Sequence, residues 1–274
     1  MRSLRSAVLR PLLEANAVGK AQAALDLDAS LPVEPLENIE TPPGIPGRPQ
    51  NPELVAHSQL PTTSMATMEG RAALVHSVAH IELNAIDLAL DIVWRFAGMP
   101  EAFYRDWVTV AKEEARHFML LRDHLVTLGF DYGAFRAHNG LWEMAERTSS
   151  DLLARLALVP RTLEARGLDA SPLVRKKLVS GGDHKAGAIL ELILSEEIGH
   201  VAIGNKWYRH VCAGRGLDPV ATYAELAKRH NAPFLRGPFN LDARRAAGFD
   251  EEELAALVKK GPGSNLTSAE RRQV

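Results

Sequence analysis

The sequence predicts an all-α fold in which four long helices form a bundle. Apolar residues recur every three or four positions over long stretches, and glycine or proline marks the ends of those stretches. No β-type alternation of useful length occurs anywhere in the 274 residues. Long helices joined by mostly short connections are typical of helical bundles.

The bundle is predicted over residues 67–213. Its four helices are expected at residues 68–98, 100–129, 139–166 and 183–212. We expect Pro160 to kink the third helix and Gly167 to close it, because proline removes a helical donor and glycine favours helix ends. Ser171 followed by Pro172 then gives a new start signal, with serine at the N-cap and proline at the first helical position.

Three segments flank the predicted bundle. Residues 1–30 form an N-terminal helical segment, with one or two short helices over 3–28, and residues 214–274 form a C-terminal extension with helices at 218–230 and 250–259. Between the N-terminal segment and the bundle, residues 31–66 hold eight of the 16 prolines and are predicted to be extended. This stretch is either a flexible linker or an ordered arm; we favour an arm, because serine and glycine runs are missing.

The composition excludes several classes of protein. The net charge of -2 does not suit a general nucleic-acid binder, and no stretch approaches the roughly 18 apolar residues of a membrane span. The single cysteine, Cys212, rules out an intrachain disulfide framework and zinc sites built on thiolates. We therefore predict a cytoplasmic protein, in which any metal is held by histidine and carboxylate.

Two glutamate–histidine pairs indicate such a metal site. Glu114 and His117 stand three residues apart in the second helix, and Glu197 and His200 do so in the fourth. Residues at this spacing share a helix face, so each pair can bind one ion. The pairs alone would be weak evidence, because glutamate and histidine are common residues.

Single glutamates on the other two helices strengthen the prediction. Glu82 lies on the first helix, 32 residues before Glu114, and Glu164 lies on the third, 33 residues before Glu197. A Glu-x-x-His from each of two helices and one Glu from each of the others is the ligand set of di-iron carboxylate bundles. Four carboxylates would balance two divalent cations, and oxygen and imidazole ligands suit iron, manganese and zinc alike.

Longer motifs carry a resemblance to a known family. The stretches "HSVAHIELNAIDLALD", "YRDWVTVAKEEARHFMLL" and "ILSEEIGHVAIGNKWY", with "PGRP" at 46–49 and "RGPFN" at 236–240, resemble the ferritin-like family known only as a domain of unknown function, number 455. More distant relatives in that superfamily include tRNA-modifying di-iron hydroxylases and quinone-ring hydroxylases. The resemblance implies that Glu114 and Glu197 bridge the two metals; it implies no substrate.

Two functions from different classes follow as hypotheses. The first is an oxygenase or hydroxylase that binds two iron ions, uses O2 as co-substrate, receives electrons from a donor protein or reductant, and oxidises an organic substrate. A mixed iron–manganese or dimanganese pair is the alternative metal content. The second is an iron-binding or ferroxidase-type protein; a structural bundle with a vestigial site is a third reading, which the intact ligand set weakens. A small metabolite is the default substrate, tRNA or a quinone follows by analogy only, and a monomer or dimer is expected.

Neighbouring polar residues receive plainer interpretations. Glu113 and Glu196, each directly before a ligand glutamate, are expected to be solvated or ion-paired rather than metal-bound. Another set shares one face of the first helix, away from Glu82, and predicts a polar surface stripe or an inter-helix contact: His76, His80, Asp87 and Asp91. Asp87 is a weak candidate partner for a ligand histidine. Arg48 and Arg236 either close the open end of the bundle or anchor the arms.

Overall fold

The computed structural model describes residues 3–259. Residues 1–2 of the predicted N-terminal segment and residues 260–274 of the predicted C-terminal extension lie outside the described residues. Within 3–259 the regular structure is helical and contains no strand. One isolated parallel β-bridge joins Leu54 to Ala137. The predicted all-α class is confirmed.

The helices of the described residues follow one another along the whole range. In chain order they are α1 (Leu4–Ala7), α2 (Leu9–Leu13), α3 (Ala17–Leu25), α4 (Met68–Arg95), α5 (Glu101–Thr127), α6 (Gly140–Arg147), α7 (Leu152–Leu158), α8 (Ala165–Ser180), α9 (His184–Gly214), α10 (Pro219–Arg229), α11 (Leu241–Ala246) and α12 (Glu251–Lys259). A 3-10 turn at His57–Gln59 lies between α3 and α4, and a π-helical turn at Val159–Glu164 joins α7 to α8.

The helices α4, α5 and α9 begin and end within three residues of their predicted bounds. The Thr67 hydroxyl accepts a hydrogen bond from the Gly70 amide at 3.0 Å and caps α4. The Asp183 carboxylate does the same for α9 through the Ala186 amide at 2.9 Å. Gly98 and Gly129 follow α4 and α5 with φ angles of 80° and 85°, a conformation that favours glycine at helix ends.

These helices pack around one continuous apolar core. Contacts join α4 to α5, α5 to α9, and α8 to α9, while α3 lies against α5. By length and composition α4 could cross a membrane, with a mean hydropathy of 1.2 over its most apolar window, but 72% of that window is buried inside the protein. Because the core helix of a water-exposed protein has the same composition, we interpret α4 as a core helix.

The predicted third helix is wrong in two places. First, the stretch 139–166 is not continuous: α6 ends near Thr148, and the Asp151 carboxylate accepts the Leu153 amide at 2.9 Å to start α7. The buried Arg155 guanidinium supports the break, since it donates to the Thr148 hydroxyl at 2.9 Å and pairs with Asp91 of α4. A tertiary ion pair therefore takes over from helical hydrogen bonds at this point.

Second, Gly167 does not close the helix and Pro172 does not begin a new one. α8 continues from Ala165 through Pro172 to Ser180. Proline lacks an N–H, so the carbonyl four residues earlier, that of Leu168, loses its helical donor. The Asn240 side-chain amide donates to this carbonyl at 3.2 Å. The C-terminal extension thus supplies the missing hydrogen bond, which local sequence signals cannot reveal.

The segment before α4 lies against the helices. Arg5, which is buried, donates to the Trp94 carbonyl at 2.7 Å and the Glu37 carbonyl at 2.6 Å, and so ties α1 to the end of α4. Lys20 of α3 forms a buried ion pair with Asp87 of α4. Arg48 donates to the Asn84 side chain at 3.2 Å. Arg48 therefore anchors its segment, as one of its two predicted roles requires.

Candidate metal centre

Four of the six predicted ligands meet inside the protein. Ligand atoms from the following residues lie within 4.8 Å of one another, and all four residues are buried: Glu82, Glu114, His117 and Glu197. They come from α4, α5 and α9. Such a group can hold a metal ion, because ionised carboxylates at this separation are costly to bury without a cation.

His117 is the centre of the first half of the cluster. Its Nδ1 lies 3.2 Å from Glu82 Oε2 and 3.5 Å from Glu114 Oε2. Glu114 and His117 project together because they are three residues apart on α5, while Glu82 reaches them from α4. Burial alone would lower the pKa of His117, but hydrogen bonds to Glu114 and Glu82 raise it to about 11.

His200 occupies the equivalent position in the second half. Its Nδ1 lies 2.9 Å from Glu114 Oε1 and 3.5 Å from Glu197 Oε1. Glu114 therefore contacts both histidines, one through each carboxylate oxygen. Burial would raise the pKa of Glu114, but the charge on His200 and the close approach of both imidazoles hold it well below the usual value.

Glu164, the remaining predicted ligand, lies near the cluster and is carried by a different type of helix. It ends the π-helical turn, a form of helix that often occurs at functional sites. Its Oε2 is buried and has no hydrogen-bond partner. Burial, with the charges of Glu114 and Glu197 close by, raises the pKa of Glu164 to about 8.

A second pair of glutamates holds the outer nitrogens of the histidines. His117 Nε2 lies 2.7 Å from Glu196 Oε2 on α9, and His200 Nε2 lies 2.7 Å from Glu113 Oε2 on α5. Each helix thus supports the histidine of the other. Glu196 also pairs with Arg116, and Glu113 pairs with His200. Both glutamates are therefore ion-paired, which is one of the two predicted readings. A hydrogen bond on Nε2 turns Nδ1 toward the carboxylates, where a metal would bind.

The charge pattern of the cluster fits a divalent metal. Glu114 Oε2 and Glu164 Oε2 are buried side-chain oxygens that no described donor satisfies. The pKa of Glu82 is raised well above its usual value, first by burial and then by the charge of Glu114. Carboxylates that cannot all ionise together, beside imidazoles already oriented through Nε2, are donors that could hold a metal ion.

The polar residues on the other face of α4 are not at the surface. His76 accepts the Gly133 amide at 2.9 Å, and His80 Nδ1 lies 2.8 Å from the Tyr132 hydroxyl. Burial lowers the pKa of both imidazoles to about 4. The polar-stripe reading is therefore wrong. The alternative, an inter-helix contact, holds for Asp87 and Asp91, which pair with Lys20 of α3 and Arg155 of α7, whereas the two histidines contact the loop after α5. Asp87, proposed as a weak partner for a ligand histidine, binds Lys20 instead.

The sequence contains one signal for the cross-helix pairs. In "KEEARH" and "SEEIGH" a second glutamate directly precedes each ligand glutamate, four residues before the histidine. Because α5 and α9 are antiparallel, with Glu113 beside His200 and Glu196 beside His117, each extra glutamate reaches the opposite histidine. The repeated doublet on two such helices could have predicted this exchange.

The described chain is thus an all-helical protein with a buried cluster of glutamates and histidines that can hold a metal ion. Comparison with family models places it more narrowly. Residues 13–255 match the family described as "Protein of unknown function (DUF455)", and the chain belongs to that family. An uncharacterized protein of Haemophilus influenzae (strain ATCC 51907 / DSM 11121 / KW20 / Rd) is 46% identical over 257 residues, which cover 89% of each chain. No solved structure matches.

Proposed function

We propose that this chain is a ferritin-like di-iron protein that uses O2 to oxidise an organic substrate. One observation carries the proposal: three carboxylates and an imidazole from α4, α5 and α9 converge on one buried point, and the buried Oε2 atoms of Glu114 and Glu164 have no hydrogen-bond partner. The six residues assigned as ligands are Glu82, Glu114, His117, Glu164, Glu197 and His200.

The assignment of two metals follows from the number and charge of the ligands. Four carboxylates supply a charge of four, which two divalent cations neutralise, and each half contributes one imidazole. Glu114 supports its predicted bridging role because its two oxygens face different histidines. Iron is the metal we assign, with manganese as the alternative, because oxygen and imidazole ligands do not discriminate strongly between them.

The chain's residues prepare the site in three ways. Glu196 and Glu113 fix the imidazole rings so that Nδ1 faces inward. The surrounding core excludes water, which strengthens electrostatic interactions at the cluster. The six residues would hold two metals without filling every coordination position, and an iron pair bound there would supply electrons for O2 chemistry. An electron donor would have to resupply those electrons.

A small organic substrate fits the charge distribution better than tRNA does. Two of the basic residues that could have formed a phosphate-binding strip are buried, Arg155 and Arg161. Three more pair with carboxylates on the surface: Arg105, Arg116 and Arg122. A polyanion needs free cations along a continuous surface, and these five do not provide them. Cytoplasmic location remains part of the proposal.

The test is metal content followed by reaction with O2. Protein produced in iron-replete cells should contain about two irons per chain. After anaerobic reduction, exposure to O2 should produce and then lose a charge-transfer absorption band. For variants that replace a ligand histidine, His124→Gln is the matched control, since this buried histidine on α5 pairs with Asp183 outside the cluster, 2.9 Å away. The control should keep both metals.

Two outcomes would contradict the proposal. Protein that contains no metal, or that shows no spectral change with O2 after reduction, is not a di-iron oxygenase. Oxidation of many irons per chain, with release of the oxidised iron, would favour the ferroxidase alternative instead.

A further inference from the structure

The C-terminal extension surrounds the backbone that carries Glu164. Before Glu164 in the chain, the π-helical turn contacts α10 and the segment 247–253. After Glu164, the first turn of α8 contacts α11. A small apolar cluster fills the space between them, formed by Ala165, Leu168, Val201, Ala243 and Ala247. Around Glu82, by contrast, the N-terminal segments contact α4 at Asn84 and Asp87, and the helix itself is uninterrupted.

Arg161 is the main link between the turn and the extension. Its side chain is buried, pairs with Glu253 of α12, and donates through Nε to the Asn205 side chain of α9. Three aromatic rings enclose the guanidinium, and their centroids lie between 4.4 and 5.4 Å from its central carbon: Tyr208, Phe249 and Tyr223. A guanidinium among aromatic faces gains cation–π energy and is fixed in direction.

The rest of the turn is held equally closely. The Thr162 hydroxyl lies 2.9 Å from the Tyr223 hydroxyl of α10 and donates to the Ala157 carbonyl at 2.8 Å. Pro160 packs directly on the α9 backbone at Gly204, where an added β-carbon would lie 2.5 Å from Pro160 Cβ. Only glycine allows this approach. The turn is therefore fixed by contacts from outside it, as a π-turn requires, since its own hydrogen bonds are less favourable than those of an α-helix.

Contacts on the far side of Glu164 complete the enclosure. Arg244 of α11 donates to the Ala165 carbonyl at 3.2 Å and pairs with Asp169 of α8. Asn240 donates to the Leu168 carbonyl freed by Pro172. Glu164 thus stands between two backbone segments that the extension holds, although its own carboxylate does not touch the extension in any described contact.

We propose that the segment 218–254 is a positioning element for Glu164, and that Arg161 is the positioning residue through which it acts. This inference rests on the proposed function, because it assigns a purpose to Glu164 as a metal ligand. Loss of the Arg161 contacts should let the turn relax toward an α-helix and move Glu164 away from the cluster. The metal nearest Glu164 should then bind more weakly, while the metal nearest Glu82 is retained.

The experiment compares two buried ion pairs, one in each terminal region. Arg161→Met with Glu253→Gln removes the C-terminal pair without leaving a buried charge unpaired, because Arg209, the other partner of Glu253, is partly exposed and still lies 3.6 Å from Asp250. Lys20→Met with Asp87→Asn removes the N-terminal pair between α3 and α4 in the same way and is the matched control. Both double variants are titrated anaerobically with Fe²⁺, and metal stoichiometry and affinity are compared with the thermal midpoint Tm.

The expected result is a loss of affinity specific to one region. Both double variants should lower Tm, but only Arg161→Met/Glu253→Gln should weaken one of two Fe²⁺ sites, by about 10–100-fold, the usual effect of removing support from a metal ligand. Arg161→Lys, which retains the charge but not the planar fork, should lie between this variant and the wild type. It also carries the test if the double variant does not fold.

The outcomes separate this inference from the proposed function. Wild-type affinity for two Fe²⁺ in the folded Arg161 variants would overturn the positioning role while leaving the di-iron proposal intact. Equal weakening in the Lys20→Met/Asp87→Asn control would also overturn it, since the effect would then reflect general stability. Failure of the wild-type chain to bind two Fe²⁺ would instead contradict the proposed function itself.

Discussion

Glu82 projects from an uninterrupted α-helix of 28 residues, whereas Glu164 ends a six-residue π-helical turn between two other helices. The two residues hold matching places in the sequence, each some 32 residues before a Glu-x-x-His pair. Their surroundings differ. Glu82 Oε2 lies 3.2 Å from His117 Nδ1, while Glu164 Oε2 has no partner among the described residues.

This difference indicates that the two halves of the cluster are unequally prepared for metal. In the first half, a hydrogen bond already connects Glu82 to His117, and Glu114 Oε2 lies 3.5 Å from the same nitrogen. In the second half, Glu164 Oε2 has no hydrogen-bond partner among the described residues, and contacts from other segments hold the Glu164 backbone. A repeat in sequence can therefore conceal two different ways of placing a ligand. The expected consequence is that the metal nearest Glu82 binds more tightly than the metal nearest Glu164.

The largest expected effect removes the residue that the two halves share. Glu114→Ala should abolish binding of both metals, because the Glu114 carboxylate contacts His117 through one oxygen and His200 through the other. His200→Ala should strip metal at least from the second half. Metal analysis with circular dichroism checks that the chains are folded. A folded Glu114→Ala chain that retains two metals would disprove the shared ligand.

The next effect compares the two outer glutamates. Glu196→Ala and Glu113→Ala each remove the acceptor of a histidine Nε2–H bond, and each should weaken metal binding by about 10–100-fold. Anaerobic Fe²⁺ titration measures the affinities. Glu143→Ala, on the exposed face of α6, is a control that should change nothing. Unchanged affinity in both variants would show that the histidines need no outer partner.

Sequence reasoning found the residues of the buried cluster because helix geometry fixes which side chains share a face. A histidine three residues after a glutamate shares its face whatever surrounds the helix, so the pairs at 114–117 and 197–200 could be identified directly. The starts of α4 and α9 are also determined by neighbouring residues, since Thr67 and Asp183 cap the helices that follow them. Where the cause lies within a few residues, the sequence is sufficient.

The errors lie where a distant residue decides the local structure. Ser171 and Pro172 would begin a helix if Leu168 had no other donor, but Asn240 donates to its carbonyl from some 70 residues away. The π-helical turn depends likewise on Arg161 and its partners Asn205 and Glu253. Periodicity cannot predict a π-turn, because the extra residue in the turn is stabilised by tertiary contacts.

The next prediction concerns how the folding stability of the metal-free protein depends on pH. Glu164 keeps a proton up to about pH 8 in the folded chain, whereas the unfolded carboxyl releases it near pH 4.5. Between these values the folded state binds more protons, so its stability should fall as pH rises. The raised pKa values of His117 and His200 act in the same direction above about pH 6.5.

Glu164→Gln measures the contribution of this carboxyl. The variant cannot ionise, so it should be more stable than the metal-free wild type at pH 8, by about 3–4 kcal/mol or roughly 6–16 °C in Tm, but by less than about 1 kcal/mol at pH 5. Thermal unfolding followed by circular dichroism provides the measurement. The same difference at both pH values would mean that Glu164 is ionised throughout.

The smallest effect tests a second asymmetry between the halves. Arg116 lies three residues after Glu113 and pairs with Glu196, but the equivalent position on α9, three residues after Glu196, is Gly199. A β-carbon at Gly199 would meet nothing within 4 Å. Gly199→Arg should therefore stabilise the chain by about 0.5–1 kcal/mol through helix propensity, with a few tenths more if the arginine pairs with Glu113.

Gly199→Ala separates the two contributions, since it restores helix propensity without adding a charge. Both variants should raise Tm, by roughly 1–4 °C, and bind metal as the wild type does. A lower Tm in Gly199→Arg would show that the open space is not free in the protein. Glu113 is the more exposed of the two outer glutamates, at 37% against 23% for Glu196. The electron donor would therefore approach more easily over Glu113 and His200. Slower reduction of the metal-loaded protein in Gly199→Arg, but not in Gly199→Ala, would support this.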